Sequence, residues 1–139
     1  MAETEVDQGM EILSLAECER LLTAGGIGIL AVGGGAAPVL RPVNFAVHER
    51  SVWLRTGEGQ ILAAARAHHP ASFVVSSIDR LEHVGHSVVV IGRLAERTKE
   101  DDVPELRLHP WVRSDKHHLV ALSIDAVSGR RIARRSAEA

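Results

Sequence analysis

Residues 39–68 hold two β-type runs, a glycine-spaced turn and a helical run, in that order, and this succession constrains the fold more than any other stretch. The first run, VLRPVNFAVH, has apolar residues at alternate positions, and the second is the short segment VWLRT. Alternation of this kind predicts strands with one buried face. After the turn GEGQ, the run ILAAARAH predicts a helix that ends before Pro70.

Other short runs on both sides of this stretch predict further elements. Ser14 and Glu17 have the spacing of a capping box, which predicts a helix start at Ser14 and places Cys18 on the apolar face. An acidic run at 99–107 predicts a short helix or turn. Single strands are predicted at 27–32, 71–78, 87–95 and 117–129, with Gly92 as a bulge or a point of close approach.

About six strands, joined mainly by short turns, and two or three short helices predict a mainly β (α+β) fold. A small antiparallel barrel with a helix after its third strand fits this order better than a βαβ arrangement. The 139 residues suffice for one domain. We expect a flexible N-terminal segment at 1–12, a single domain at 13–132 and a flexible tail at 133–139.

Composition argues against several classes of partner. The formal net charge is -2 and aromatic residues make up 3% of the chain, which disfavours a nucleic-acid surface. No apolar run approaches the length of a membrane span, and the start of the chain lacks the pattern of an export signal. A single cysteine, Cys18, suggests a reducing compartment. We therefore expect a cytoplasmic protein that binds neither nucleic acid nor membranes.

Arg41 is unusual because it shares the apolar row of its strand with Val43 and Phe45. A charged side chain in such a row needs a partner. Pro42 has no N–H to donate, so this strand is predicted to lie at a sheet edge or beside a bulge.

The segment Arg-Thr-Gly-Glu-Gly-Gln has the features of an anion site. Arg55 and Thr56 end a strand, the glycines allow a tight turn, and Gln60 begins the next helix. Free backbone N–H groups beside a hydroxyl and a guanidinium suit a phosphate dianion. An ordinary strand-to-helix turn with an exposed Arg55 is the alternative. The spacing matches neither a P-loop nor a dinucleotide-binding fingerprint.

The order of elements, together with RPVNFAV, VWLRTGEGQILAAA and GHSVVVIGRLAE, resembles the pyridoxamine 5'-phosphate oxidase-like family of flavin-binding split β-barrels over residues 13–132. The resemblance implies a homodimer that binds FMN, or in some branches a deazaflavin coenzyme, in a groove between subunits. It implies a cofactor site made of Arg41, Pro42, Val43, Asn44, Arg55, Thr56, Gly57, Gln60, Ser87 and Trp111.

Within that site, the resemblance implies that residues 41–44 lie along the isoalloxazine ring and ribityl chain, and that Arg55 and Thr56 reach the phosphate. Ser87 would approach the ring from below. Trp111 matches a Pro-Trp element that closes over the flavin, although packing on the end of the barrel is an equal alternative.

Two positions depart from the family pattern. Gln60 stands where the family often has Lys or Arg, and His86 stands where close relatives have an aromatic residue. Both changes bear on how tightly a cofactor is held.

The function expected from the resemblance is oxidoreduction of an unidentified small molecule, without the specific activity of a true pyridoxamine phosphate oxidase. The alternatives are a non-catalytic flavin or small-ligand carrier or sensor, and a barrel that has lost cofactor binding. The sequence identifies no catalytic residue. It also predicts no metal site, because histidines adjacent on a strand point to opposite faces.

Overall fold

The computed structural model describes residues 6–7, 9–33, 37–97 and 118–132 of the chain. In these ranges, strands and helices follow the chain in this order: β1 (Val6–Asp7), β2 (Met10–Ile12), α1 (Leu15–Thr23), β3 (Gly26–Val32), β4 (Val39–His48), β5 (Ser51–Thr56), α2 (Gln60–Arg66), β6 (Pro70–Asp79), β7 (Val84–Arg97), β8 (His118–Ser123) and β9 (Ala126–Ile132).

Six of the strands close an antiparallel barrel in the order β3, β4, β5, β8, β7 and β6, with β6 pairing back to β3. The 14-residue β7 splits the barrel. Its residues 85–91 pair with β9, whereas residues 94–97 pair with β8. The predicted mainly β split barrel with short helices is therefore confirmed.

The barrel interior is aliphatic, as the near absence of aromatic residues requires. Leu30, Leu54 and Leu94 are fully buried there. The two phenylalanines of the chain, Phe45 and Phe73, pack edge to face with ring centroids 4.8 Å apart. This packing fills the barrel and leaves ligand sites to its outer surfaces.

Gly92 and Pro42 occupy the positions that their chemistry requires. A Cβ atom on Gly92 would lie 1.6 Å from the carbonyl oxygen of Ser123, so the predicted close approach is confirmed. β5 pairs with β4 only at residues 46–48, so the half of β4 that contains Pro42 has β3 on one side and no strand of the described chain on the other.

Helix α1 begins as its capping pattern predicts. The Ser14 hydroxyl accepts a hydrogen bond from the Glu17 N–H at 3.2 Å. Cys18 is 1% exposed, and its burial raises the pKa of the thiol. The predicted position of Cys18 on the apolar face is therefore confirmed, and a buried thiol with a raised pKa is a poor nucleophile.

One predicted strand boundary is wrong. The run at 117–129 forms β8 and β9 rather than one strand, because its pairing with β7 is interrupted at Ile124 and Asp125. The N–H of Asp125 donates to the carbonyl of Ile91, a contact distant in sequence. Within the segment 1–12, Met10–Ile12 pairs with β9, and the flexibility of this segment stays a prediction.

Arg131 connects this early segment and α1 to β9 through ion pairs. Its guanidinium lies 3.6 Å from the Glu11 carboxylate and 2.9 Å from that of Glu17. The predicted helix or turn at 99–107 lies outside the described residues. Neither α1 nor α2 is long and apolar enough to cross a membrane.

Candidate functional site

A groove with a volume of about 410 Å³ lies between the first half of β4, the end of β5 and the start of α2. We call it the arginine groove. Its lining contains most of the predicted cofactor site, and consists of Arg41, Pro42, Val43, Arg55, Thr56, Glu58, Gly59, Gln60 and Ile61. The volume is within the range of ligand pockets.

Two cations of the groove have no counter-ion among the described residues. Arg41 and Arg55 are both exposed. The Arg41 guanidinium donates to the adjacent Leu40 carbonyl at 3.1 Å and forms no ion pair within the described ranges, and Arg55 forms none there either. Their charges are therefore available to an anionic ligand.

The position of Arg41 corrects the expectation that it needs a protein partner. Arg41 is in register with the buried Leu30, and so belongs to the inward-facing row as the alternation predicts. The row reaches solvent at this end of β4, however, because Arg41 is exposed whereas Val43 is buried. The guanidinium is hydrated there and avoids the cost of burial.

The turn before α2 forms one wall of the groove. Gly59 has a φ of 149°, a conformation that favours glycine, and it caps α2 without a side-chain hydrogen bond. The Thr56 hydroxyl donates to the Gly57 carbonyl at 3.3 Å. Gln60 is exposed on the groove, so it contributes an amide where the family often has a cation.

Glu58 brings a carboxylate into this same wall, and His118 holds it. His118 Nε2 lies 3.0 Å from Glu58 Oε1, and His118 Nδ1 lies 3.2 Å from Glu96 Oε2. The Arg66 guanidinium donates to Glu96 Oε1 at 3.0 Å. The hydrogen bond from Arg66, followed by that from His118, lowers the pKa of the Glu96 carboxyl.

Sequence reasoning missed His118 as a neighbour of the turn. It begins β8, and its register partner on β5 is Thr56, 62 positions earlier in the chain. The pairing of β5 with β8 was the signal that could have found it. No local pattern encodes that pairing.

Ser87 lies in a different groove, with a volume of about 570 Å³, which we call the hairpin groove. It lies at the end of the β6–β7 hairpin, and its lining includes His86, Ser87, Arg130, Ile132 and Met10. Ser87 is in register with Ser76 on β6 and Arg130 on β9, so β6 and β3 separate it from β4.

Three other predicted site residues are not in either lining. Asn44 and Gly57 flank the arginine groove in sequence without lining it. Trp111 lies outside the described residues. The described part of the chain contains no group of three or more His, Cys, Asp or Glu side chains placed to hold a metal ion.

Comparison with known proteins identifies the family of this chain. The model of the family described as pyridoxamine 5'-phosphate oxidase matches residues 14–131. The chain belongs to the pyridoxamine 5'-phosphate oxidase family. The resemblance predicted from the sequence is thereby confirmed.

Two proteins of known structure and one further relative are similar to this chain over most of its length. The structure of the FAD-binding protein of Mycobacterium smegmatis superposes with a TM-score of 0.70 and 30% sequence identity. The match covers 86% of this chain and 98% of the M. smegmatis chain. An FAD-binding protein of Mesorhizobium loti has a TM-score of 0.66 and 28% identity, covering 88% of this chain and 98% of its own. An uncharacterised protein of Mycobacterium tuberculosis is 32% identical over 123 residues, which are 84% of this chain and 81% of that protein.

Proposed function

We propose that this chain is a flavin-binding protein whose arginine groove holds the phosphate of FMN. The observation that carries the proposal is the pair Arg41 and Arg55, two cations on neighbouring strands that have no ion-pair partner in the described residues. The FAD-binding relatives from M. smegmatis and M. loti support a flavin as the ligand. A deazaflavin coenzyme is the alternative for the same site.

The residues of the groove fit such a ligand by their donor chemistry. Arg55 is a donor for phosphate oxygens, and a guanidinium can bind two oxygens at once. The Thr56 hydroxyl would donate to the phosphate by rotating away from the Gly57 carbonyl. The edge of β4 at residues 41–44 offers an extended backbone along which the ring and ribityl chain are placed in this proposal. Arg41 would compensate negative charge on the reduced ring near N1.

A bound flavin supplies hydride or electron transfer, while the protein orients it and excludes water. We therefore propose an oxidoreductase that acts on a small molecule. A carrier or sensor is the second candidate, and one observation favours it: the described lining of the arginine groove contains no cysteine or histidine to act on a substrate. Turnover with a nicotinamide or deazaflavin donor distinguishes the two.

We further propose that two copies of the chain form a homodimer with the cofactor between them. One outer face of the sheet supports this proposal. Leu40 is 59% exposed and Ile91 is 51% exposed, and both lie in one cross-strand row with Ala31 and Ser72. The neighbouring row contains Ile29, which is in register with the groove residue Pro42. This apolar face therefore continues to the groove, as expected of an interface beside a shared ligand.

A cofactor between subunits also accounts for the separation of the predicted site. Within one chain, Ser87 and the arginine groove lie on different parts of the sheet. In the proposed dimer, Ser87 of the partner subunit would approach a ring whose phosphate Arg55 holds.

The test is the spectrum and mass of the small molecule that co-purifies with the chain, followed by titration of the apo-protein with FMN, FAD, a deazaflavin and riboflavin. We expect a yellow protein. Arg55→Ala should weaken FMN binding about tenfold or more, since hydrogen bonds to charged groups contribute about 1.5–3 kcal/mol. Riboflavin, which has no phosphate, should bind the variant and the parent equally.

Arg20→Ala is the matched control, because Arg20 is an exposed arginine of α1 away from the groove. Failure of every flavin to bind at tens of micromolar would refute the proposed function. For the homodimer, light scattering should give the mass of two chains, and Ile91→Asp should shift it toward one chain. A one-chain mass for the parent protein would refute the homodimer.

A further inference from the structure

His118 is placed so that both of its ring nitrogens face carboxylates. Nε2 is 3.0 Å from Glu58 Oε1 and Nδ1 is 3.2 Å from Glu96 Oε2. A neutral imidazole has one N–H and one lone pair, and so can donate to only one of these carboxylates. The protonated ring donates to both. The geometry therefore fits the cation, and loss of its proton leaves one carboxylate facing a lone pair.

The two carboxylates differ in what else supports them. Glu96 keeps the Arg66 guanidinium at 3.0 Å whether or not His118 is charged. Glu58 has His118 as its hydrogen-bond partner among the described residues, and its side chain is 78% exposed. Arg66 also interacts electrostatically with Glu58, but its hydrogen bonds in the described residues go to Glu96. Deprotonation of His118 therefore affects Glu58 more than Glu96.

Glu58 is also a lining residue of the arginine groove. When His118 is protonated, its charge compensates the Glu58 carboxylate, and the charges of Arg41 and Arg55 remain available to a ligand. When His118 is neutral, the Glu58 carboxylate in the same wall as the ligand phosphate loses that compensation and retains the electrostatic interaction with Arg66. Like charges at such distances repel, so the affinity for an anion falls.

We propose that His118 is a positioning residue for the phosphate-binding turn, and that the protonated ring fixes and neutralises Glu58, so that phosphorylated ligand binds more tightly when His118 is protonated than when it is neutral. This inference rests on the proposed function of the arginine groove.

The charged groups around His118 define what the experiment must separate. Glu58 faces it from the turn before α2 and Glu96 faces it from β7, with Arg66 of α2 behind Glu96. On the adjacent strands, Arg55 precedes Thr56, the register partner of His118, and the Arg97 guanidinium packs on Trp53 at 5.7 Å.

The experiment measures the affinity of the apo-protein for FMN and for riboflavin at about pH 5.5 and about pH 8, on either side of the usual histidine range. The variants are His118→Gln, Glu58→Gln and the double substitution. His48→Gln is the matched control, because His48 also lies at a strand end beside a carboxylate, 3.5 Å from Glu49. The phosphate of FMN itself titrates near pH 6, so each variant is compared with the parent at the same pH.

We expect His118→Gln to bind FMN about threefold more weakly than the parent at the lower pH and equally at the higher pH, the size of a single exposed ion pair. Riboflavin affinity should be unchanged. In the Glu58→Gln background, His118→Gln should have no further effect, and His48→Gln should follow the parent throughout. Thermal unfolding of each variant shows whether the fold is retained.

Parallel FMN profiles for His118→Gln and the parent would overturn the inference while leaving the proposed function intact. An equal loss for FMN and riboflavin would also overturn it, because a general structural role would then explain the effect. If neither the parent nor any variant binds a flavin, the proposed function fails and the inference with it.

Discussion

Two regions of this molecule differ in whether their arginines form ion pairs. Beside α2, Arg66 is held by Glu96, and beside α1, Arg131 is held by Glu11 and Glu17. We use the name frame for the elements that these ion pairs join, which are β2, α1 with its cap, the Arg66 end of α2, β7 and β9. In the arginine groove, Arg41 and Arg55 have no ion pair in the described chain. The ion pairs of the frame connect its own elements, whereas the two groove arginines remain without a counter-ion among the described residues; in the proposed function, their charge binds the ligand.

The comparison predicts that substitutions in the frame change stability with little effect on a ligand, and that substitutions in the groove do the reverse. A variant that changes only one of these two properties supports the separation, and a variant that changes both contradicts it.

The largest effect is expected from Gly92→Ala in the frame. The new Cβ would lie 1.6 Å from the Ser123 carbonyl oxygen and 2.7 Å from its carbon, so backbone must move. We expect the free energy of unfolding in urea to fall by about 3 kcal/mol, as for severe overpacking. Gly85→Ala, on the same strand with its nearest contact at 3.0 Å, should cost clearly less. Equal losses for the two variants would contradict the prediction.

Arg41→Ala should have the next largest effect, and only on the ligand. Loss of a charge-assisted contact should weaken FMN binding about tenfold, while the free energy of unfolding changes by less than about 0.5 kcal/mol. Isothermal titration and urea unfolding measure the two quantities. Arg66→Ala is the matched frame variant and should leave FMN affinity within about twofold of the parent. A destabilised Arg41→Ala protein would show that Arg41 belongs to the frame.

Ser14→Ala tests the frame at α1. The hydroxyl of Ser14 accepts from the Glu17 N–H, and loss of such a cap typically costs about 1 kcal/mol of stability. Urea unfolding should show this loss, with FMN affinity unchanged. Ser128→Ala is the control, because Ser128 is an exposed serine of β9. Equal stabilities for the two variants would show that the Ser14 cap does not contribute to the stability of the frame.

The smallest expected effect is the loss of stability in acid when the Glu96 carboxylate is protonated. Hydrogen bonding from Arg66 lowers the pKa of this carboxyl below its usual 4.5. The stability that the pair contributes is therefore present above pH 4.5 and is lost as the pH falls through the lowered value. Glu96→Gln should lower the Tm slightly at pH 7, and the difference from the parent should vanish in stronger acid. Glu19→Gln, which removes an exposed carboxylate of α1, is the matched control.

Much of the frame could be predicted from the sequence because its signals are local. Ser14 marks the start of α1, and alternation gives β4 its limits at Val39 and His48. The break between β8 and β9 could not be predicted, since the apolar run continues through Ile124 without a glycine or proline. Its position depends on hydrogen bonds to Arg50 and Ile91, which lie far away in the chain.

The candidate site divides in the same way. Arg55, Thr56 and Gln60 are close in sequence, so their common position in one wall could be read from the glycine-spaced turn. His118 and Ser87 could not be placed, because strand pairing decides where each lies relative to the turn. The alternation of apolar residues predicts the face of β4 on which Arg41 lies. It does not predict that this face is exposed to solvent at Arg41 and buried at Val43.

The long strand β7 has a consequence for how the chain is made. One edge of β7 is covered by β6, which precedes it, but the other edge is covered by β8 and β9, which follow it. During synthesis, the chain emerges from the ribosome with that second edge bare until the final two strands arrive. Barrel closure must therefore be a late step, and the unfinished chain is most exposed to edge-to-edge association just before that step.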